Sequence, residues 1–452
     1  MKRILVPLFA MFVFFLRAQE YQAAWQSLDS RTTPRWYKDA KFGIFIHWGL
    51  YSVPSWATNS NADGFGSNYA EWYWQRLSAS QLKIHKEFVA FHERVYGRDF
   101  KYPDFASKFT CEMFDPKQWA QVFKNAGAKY VVLTSKHHEG FCLWPSKESW
   151  NWNSVDVGPH RDLAGELSDA VKKEGLRMGF YYSLYEWFNP QYKNDLAGYV
   201  QQRMLPQMKD LVTRYHPDIF WADGEWDHPA DAWKSTEFLA WLFNESPSKE
   251  AIVVNDRWGN DTRGLHGSFH TSEYGQGNTG NGKPWEECRG IGESFGYNRN
   301  ENLEQYATSE QLVHQLIHVV ARGGNFLLNV GPTADGRIPV IMQQRLRDIG
   351  DWLKINGEAI YESEAWTKAP GITKETDLFF TAKEKLLYAI TTRWKKEILI
   401  ETDEKPLHVN MLGYPGKISY RYNGNKLLIK MPQLTPDKIP CSFAWVIKLQ
   451  YK

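Results

Sequence analysis

The chain has little of several features that mark common protein classes. Only 4 of its 452 residues are cysteine, and no two form a C-x-x-C pair, which excludes zinc-ribbon and thioredoxin-like sites. The formal net charge is only +2, so composition gives no reason to expect nucleic acid as a partner. Beyond the N-terminus, no apolar run is long enough to span a bilayer. What is left is an ordinary globular composition, 43% hydrophobic and 23% charged.

The first residues have the pattern of a secretory leader. Lys2 and Arg3 form a short positive region, and an apolar run follows at residues 4–16. That run is too short for a transmembrane helix. We therefore predict that residues 1–18 are a signal peptide, that the mature protein is secreted or periplasmic, and that it does not insert into a membrane after cleavage.

Aromatic residues are abundant, at 15% of the chain, with 21 Trp and 23 Tyr. Their flat apolar faces and polar edges suit the C–H faces and hydroxyls of sugars. The same composition also fits a core rich in tryptophan, and composition alone favours that interpretation.

Residues 41–360 alternate short apolar runs with amphipathic helical stretches. Continuous apolar runs are typical of parallel strands that are covered on both faces. No G-x-G-x-x-G motif follows the first run, which argues against a dinucleotide-binding sheet. The repeated units predict an α/β fold, a (β/α)8-like barrel, over residues 19–362. The predicted strands are Phe42–Ile46, Tyr130–Leu133, Met178–Tyr182, Asp218–Trp221, Ala251–Val254 and Asn325–Leu328.

Three helices between these strands have readable ends: residues 117–125, 163–173 and 311–321. Asp or Ser precedes each one and Gly follows it, as helix capping favours. After residue 362 the sequence pattern changes to short predicted strands separated by turn residues such as Asn423-Gly424. We predict a C-terminal antiparallel β-sandwich over residues 363–452 that packs against the barrel.

Polar and aromatic residues follow the predicted barrel strands. In a barrel, catalytic groups come from the carboxyl ends of the strands. The strand-end residues are His47, His137 with His138, Tyr181, Trp221 with Asp223, and Arg257.

Asp223 directly follows an apolar strand, so its carboxylate is expected in the barrel mouth. It also precedes Gly224, and a turn aspartate is an equally good interpretation of that pair alone. Trp221 offers a face for a sugar, and Arg257 offers a charge that keeps the carboxylate ionised. An ionised Asp beside an anomeric carbon is the nucleophile of retaining glycoside hydrolysis.

Retaining hydrolysis needs a second carboxyl group as general acid and then base. The candidates are Glu273, in Thr-Ser-Glu-Tyr, and Glu286 or Glu287, in Trp-Glu-Glu-Cys. We expect both segments to be irregular active-site loops. Their residues alone do not separate the candidates.

His137-His138-Glu139 suggests a metal site, but we predict none. Adjacent residues of a strand point to opposite faces, and no H-E-x-x-H pattern is present. The alternatives are neutral imidazoles that bind sugar hydroxyls, or a core histidine.

Six ordered motifs together resemble the α-L-fucosidases of glycoside hydrolase family 29, over about residues 23–366. A weaker resemblance covers the C-terminal β-sandwich of that family. The motifs are residues 42–49 (FGIFIHWG), 70–73 (AEWY), 136–144 (KHHEGFCLW), 221–224 (WADG), 255–259 (NDRWG) and 323–332 (GGNFLLNVGP).

The resemblance implies a retaining exo-α-L-fucosidase that acts on terminal α-L-fucose of a fucosylated glycan, without metal or organic cofactor. It implies Asp223 as nucleophile and Glu273 as acid/base, with Glu286 as runner-up and further substrate contact. The other implied substrate contacts are His47, Glu71, Trp72, His137, His138, Tyr181, Trp221 and Arg257. The segment from Glu273 to Gly277 departs slightly from the family pattern. The resemblance therefore does not fix which linkage to the leaving group is preferred.

Two rival functions belong to other classes. One is a fucose-binding protein on a catalytically weak barrel, and an intact Asp223 with a carboxylate partner argues against it. The other is a glycosidase for a related sugar, such as a β-galactoside that differs at the fucose methyl group.

Overall fold

A computed structural model describes residues 20–187, 189–275, 282–366 and 377–452. The predicted signal peptide lies outside these ranges, as do Gln276 and Gly277 of the segment after Glu273. Within the described ranges, no helix is both long and apolar enough to cross a membrane.

Eight parallel strands form one curled sheet, which is the predicted barrel. Along the sheet the order is β5-β4-β3-β2-β1-β8-β7-β6. The strands are β1 Phe42–Ile46, β2 Tyr130–Lys136, β3 Arg177–Ser183, β4 Ile219–Asp223, β5 Val253–Val254, β6 His270–Glu273, β7 Trp285–Gly290 and β8 Asn325–Val330.

Helices lie between the strands and cover the outside of the sheet, as in other α/β barrels. A π-helical segment, Val200–Met204, joins α8 to α9. The α-helices are α1 Trp25–Leu28, α2 Arg35–Ala40, α3 Tyr73–Ser78, α4 His85–Val95, α5 Pro116–Asn125, α6 Leu163–Lys173, α7 Pro190–Asn194, α8 Leu196–Tyr199, α9 Leu205–Tyr215, α10 Ala230–Trp233, α11 Ser235–Asn244, α12 Ser309–Ala321 and α13 Val340–Asn356.

The three predicted helices are confirmed within two residues at either end. Asp115 caps α5 by accepting from the backbone N–H groups of residues 117 and 118, and Asp162 caps α6 in the same manner. The cap of α12 is Thr308 rather than the predicted Ser309. A threonine hydroxyl accepts from the third helical N–H as well as a serine does.

The barrel has a seam between β5 and β6, where no strand ladder of the described residues joins its two edges. A backbone hydrogen bond from Ser268 to Val254 crosses it, at 2.8 Å. Asp256 also bridges the seam by accepting from the hydroxyl and backbone N–H of Thr271. Side chains therefore complete the wall of the barrel at this position.

Alternate residues of each strand face the barrel interior, as the period of two requires. Phe45 of β1 and Trp221 of β4 belong to the interior cluster, whereas Ile44 and Ile46 pack under the helices. Asp223 is two residues after Trp221, and His47 is two after Phe45. Both therefore continue an inward-facing row to the carboxyl end of the barrel.

The C-terminal region forms two antiparallel sheets, of orders β13-β16-β11-β10-β9 and β12-β15-β14, around a shared apolar core, which confirms the predicted sandwich. It packs on the barrel through α12 and α13, where Trp352 donates to the Ala444 carbonyl. Its strands are β9 Glu364–Ala365, β10 Leu378–Lys383, β11 Leu386–Thr391, β12 Glu397–Glu401, β13 His408–Met411, β14 Ser419–Asn423, β15 Lys426–Lys430 and β16 Trp445–Gln450.

The expectation that Glu273 and Glu286 lie in irregular loops is wrong. Glu273 ends β6 and Glu286 lies in β7, both of which pair in parallel within the barrel. These strands were missed because they are short and carry charged residues where buried strands normally carry apolar ones. Tertiary packing overrides such weak local propensity.

Candidate active site

A cavity of about 310 Å³ opens at the carboxyl ends of the barrel strands, and we call it the mouth cavity. Ten of the eleven residues singled out in the sequence line it, and Glu286 is the exception. The ten are His47, Glu71, Trp72, His137, His138, Tyr181, Trp221, Asp223, Arg257 and Glu273.

Asp223 is 7% exposed at the floor of this cavity. Its Oδ1 accepts from Arg257 Nη1 at 2.7 Å, and its Oδ2 accepts from the Tyr181 hydroxyl at 2.8 Å. Gly224 follows with φ of +74°, and a Cβ there would meet Tyr185 Cβ at 2.7 Å. The chain thus turns away tightly behind Asp223 and leaves its carboxylate facing the cavity.

The charges around Asp223 keep it ionised. Burial by itself would raise the pKa of this carboxyl group. The positive charge of Arg257, with a smaller contribution from Arg263, outweighs burial and holds the pKa of Asp223 below its usual value. A carboxylate with a low pKa and one exposed face is suited to attack rather than to proton donation.

Arg257 holds a second carboxylate beside the first. Its Nη2 lies 3.3 Å from Glu273 Oε2, while its Nε donates to Thr271 Oγ1 at 3.0 Å. Two carboxylates on the terminal nitrogens of one guanidinium are near neighbours. The spacing of such pairs in retaining glycosidases is about 5–5.5 Å.

Glu273 is more accessible than Asp223, with 26% of its side chain exposed. Its Oε1 lies 3.4 Å from the hydroxyl of Tyr69, which is a donor on the opposite wall of the cavity. Glu273 therefore sits between the buried Arg257 and the cavity opening, where a proton can be exchanged with substrate and with water.

Two of the histidines have defined tautomers. His47 Nδ1 lies 2.7 Å from Asn329 Oδ1, an acceptor, because the amide nitrogen of Asn329 donates to the Phe295 carbonyl. His138 Nδ1 lies 2.6 Å from Ser183 Oγ, whose proton goes to the Tyr185 carbonyl. Both rings therefore carry hydrogen on Nδ1 and leave Nε2 as an acceptor.

Burial keeps these two imidazoles neutral. Desolvation, helped by the neighbouring His137, lowers the pKa of His47 to about 3 and puts that of His138 well below its usual range. Neutral rings with a bare Nε2 accept hydrogen bonds from hydroxyl groups, which are plentiful on a sugar.

The expectation that His137 and His138 point to opposite faces is wrong. β2 ends at Lys136, so both residues lie beyond the pleated strand, with ring centroids 4.0 Å apart. His137 Nδ1 faces Glu139 Oε2 at 3.5 Å. Among the residues that the structure describes, no group of three His, Cys, Asp or Glu side chains has the arrangement of a metal site.

Glu71 and Trp72 form another wall of the cavity. Glu71 Oε2 accepts from the Gly296 N–H at 2.8 Å and from the Ser294 hydroxyl at 3.2 Å. Burial raises the pKa of Glu71. Trp72 packs against His138, with ring centroids 5.3 Å apart, and presents apolar surface beside these polar groups.

Glu286 lies deeper in the barrel, beside the indole edge of Trp221. Its Oε1 accepts from Trp221 Nε1 at 3.0 Å. Its Oε2 accepts from the hydroxyls of Tyr37 at 3.0 Å and Tyr130 at 2.5 Å. Burial raises the pKa of Glu286 to about 7.

Sequence reasoning missed nine residues that line the cavity. Tyr69 directly precedes the 70–73 motif, so extending that motif by one residue would have found it. Phe45 and Cys288 stand in segments that the sequence analysis named, but neither was singled out as a site residue. The remaining six stand in segments without a recognisable pattern, and only folding brings them to the mouth. The nine are Phe45, Phe65, Gly66, Tyr69, Arg76, Trp226, Arg263, Cys288 and Phe295.

All four cysteines are free. Cys288 is buried at the cavity wall, where burial raises the pKa of its thiol.

Family models match most of the chain. The model described as alpha-L-fucosidase matches residues 12–358, and the alpha-L-fucosidase C-terminal domain matches residues 373–450. Tissue alpha-L-fucosidase of Rattus norvegicus is 43% identical over 448 residues, which cover 96% of this chain and 93% of the relative. Plasma alpha-L-fucosidase of Homo sapiens is 44% identical over 455 residues, with the same two shares covered.

Solved structures agree with these matches. The crystal structure of Thermotoga maritima alpha-fucosidase in complex with fucose aligns with a TM-score of 0.81 at 38% identity. The alignment covers 95% of this chain and 100% of that one. The same enzyme in complex with a mechanism-based inhibitor gives the same score, identity and coverage.

Proposed function

The chain belongs to the α-L-fucosidase family, glycoside hydrolase family 29, and from this premise we propose which of its residues carry the reaction. Its activity is that of a retaining exo-α-L-fucosidase, which removes terminal α-L-fucose from a fucosylated glycan. The proposed nucleophile is Asp223 and the proposed general acid and base is Glu273. The observation that carries this assignment is the single guanidinium of Arg257 bound to both carboxylates.

In the first step, Asp223 attacks the anomeric carbon and the glycosidic C–O bond breaks. Glu273 gives its proton to the departing oxygen, so the leaving group departs as a neutral alcohol. In the second step, Glu273 takes a proton from water, and the resulting hydroxide displaces the Asp223 carboxylate from the anomeric carbon. Two inversions give net retention.

Each carboxylate has surroundings that favour its proposed role. Asp223 accepts two short hydrogen bonds and has a lowered pKa, which favours the ionised form that attacks. Glu273 is partly exposed and has one long contact to a cation, so it exchanges protons with the cavity. Glu286 is fully buried among aromatic side chains, and that location favours a structural role over acid catalysis.

The polar side chains around Asp223 are the proposed contacts for the fucose hydroxyls. His47 and His138 offer Nε2 as acceptors, and Glu71 offers a carboxyl group on the same wall. His137, Tyr181 and the aromatic faces of Trp72 and Trp221 complete the proposed binding set.

The first experiment uses Asp223→Ala. We expect turnover of an aryl α-L-fucoside to fall at least about 10⁴-fold, because no carboxylate is left to attack the anomeric carbon. Azide should restore part of the rate by attacking from the vacant side. Retained fucose binding with no wild-type turnover would favour the fucose-binding alternative, and preference for an aryl β-galactoside would favour the related-sugar alternative.

The second experiment compares Glu273→Ala with Glu286→Gln on two substrates. Loss of the general acid should cost about 10²–10⁴-fold on a fucoside with a poor leaving group, and far less on a nitrophenyl fucoside. Glu286→Gln should lower both rates by similar factors. The opposite pattern would assign the acid role to Glu286.

We propose that residues 19–362 form the catalytic domain and residues 363–452 the sandwich domain. The proposed boundary falls between the matched ranges 12–358 and 373–450, which supports it. We also propose that residues 1–18 direct secretion or periplasmic export. N-terminal sequencing of the exported protein tests the cleavage position.

A further inference from the structure

A solvent-exposed phenylalanine lies at the rim of the mouth cavity. Phe65 is 71% exposed, although the residues next to it in the cavity wall, such as Tyr69, are buried. Single exposed apolar side chains are common on protein surfaces, so the informative observation is that Phe65 lines the mouth cavity.

The segment that carries Phe65 is held in place. Gly64 and Gly66 flank it with φ of +87° and +78°, a conformation that L side chains rarely adopt. The Asp63 carboxylate accepts from the backbone N–H groups of residues 83 and 84 at 3.1 and 3.0 Å. Arg76 donates to the Gly66 carbonyl at 3.1 Å. The exposed ring is therefore presented by a fixed turn.

The contacts of Phe65 place it on the Glu273 side of the mouth cavity. Its ring contacts Tyr69 and Tyr274, with centroid distances of 5.5 and 6.0 Å. Tyr69 donates to Glu273, and Tyr274 is the next residue after it. The proton of Glu273 goes to the leaving-group oxygen, so this is the side on which the leaving group lies.

We propose that Phe65 is the platform of a leaving-group subsite that binds a pyranose by stacking on its C–H face. This proposal rests on the proposed function, because it takes Glu273 as the acid. The Phe65 ring contacts Tyr274, the residue after Glu273, so a sugar that stacks on the ring lies on the side of the proposed acid.

Trp226 is the matched contrast on the same rim. It is 36% exposed, but its indole packs on Trp72 and His138, with centroid distances of 5.8 and 5.2 Å. Both of those residues belong to the proposed fucose contacts. Trp226 should therefore act on the fucose side, whatever group is attached to fucose.

The test compares two substrates that share fucose and differ in leaving group. One is α-L-fucosyl fluoride, whose leaving group is a single atom that cannot stack. The other is a disaccharide of α-L-fucose on a β-D-galactopyranoside. We expect Phe65→Ala to lower the ratio of disaccharide to fluoride kcat/KM about tenfold, the size of one lost aromatic contact. Phe65→Tyr should restore the ratio, and Trp226→Ala should leave it near the wild-type value.

A second measurement uses the same subsite to bind an acceptor sugar in a fucosyl transfer reaction. With fucosyl fluoride as donor and the β-galactopyranoside as acceptor, Phe65→Ala should lower the fraction of fucose transferred to the sugar rather than to water. An unchanged ratio and an unchanged transfer fraction in Phe65→Ala would overturn the subsite and leave the proposed function intact. Failure of the wild-type protein to cleave the fluoride would overturn the proposed function itself.

Discussion

The mouth cavity around Asp223 and the barrel interior around Glu286 both hold a carboxyl group next to Trp221, with opposite electrostatic outcomes. Asp223 has Arg257 at 2.7 Å, and its pKa is lowered. Glu286 accepts only from neutral indole and phenol donors, and burial raises its pKa to about 7. A buried carboxyl group is ionised where a cation pairs with it and tends toward the neutral form where only dipoles do.

The difference explains how one barrel holds a catalytic carboxylate and a structural carboxyl group close together. The ionised group faces a cavity and is accessible to substrate. The group with the raised pKa joins Tyr37, Tyr130 and Trp221 into one hydrogen-bonded unit beneath the cavity floor. Three sets of variants test this division, and we give them in order of expected effect.

Arg257→Met should have the largest effect. It removes the charge shared by Asp223 and Glu273, so kcat/KM on an aryl fucoside should fall about 10³-fold or more. Since Arg257 lowers the pKa of Asp223, its removal should raise that pKa and move the acidic limb of the pH–kcat/KM profile to higher pH. Arg263→Met is the control, because Arg263 pairs with Glu225, whereas Arg257 contacts Asp223 directly. An acidic limb that stays in place would contradict the comparison.

Glu286→Gln should change the pH dependence of stability. Folding raises the pKa of Glu286 from 4.5 to about 7, so its stabilising contribution is complete below pH 4.5 and is lost as pH rises through 7. A pKa change of this size corresponds to about 3 kcal/mol. The variant should gain stability relative to wild type between pH 5 and 8, measured by urea unfolding across that range. A wild-type-minus-variant difference that is flat with pH would show that Glu286 is ionised in the fold.

Tyr181→Phe and Tyr37→Phe form a matched pair with the smallest effect. Each removes one hydroxyl that donates to a carboxyl group, Tyr181 to Asp223 and Tyr37 to Glu286. Tyr181→Phe should lower kcat/KM about tenfold, as expected for a lost hydrogen bond to a charged group. Tyr37→Phe should cost about 1 kcal/mol of unfolding free energy and little activity. Equal losses of activity in both variants would remove the distinction between the two regions.

Much of the site was predictable because it follows strand ends. Asp223 and His47 continue the inward rows of β4 and β1, and a period of two with apolar runs is readable in a sequence. The second carboxyl group, which acts with Asp223, could not be identified from apolar periodicity. β6 and β7 lack the apolar runs of the other strands, so Glu273 and Glu286 stood in segments of the same appearance.

The amino-acid sequence by itself determined the barrel with its C-terminal sandwich and the inward face on which Asp223 lies. The reason is that apolar periodicity and helix caps are local signals. Only the tertiary structure decided that Glu273 contacts Arg257 while Glu286 lies beneath Trp221. Burial and the distance to a charge are set by residues far apart in the chain, and these two quantities fix the protonation of a carboxyl group.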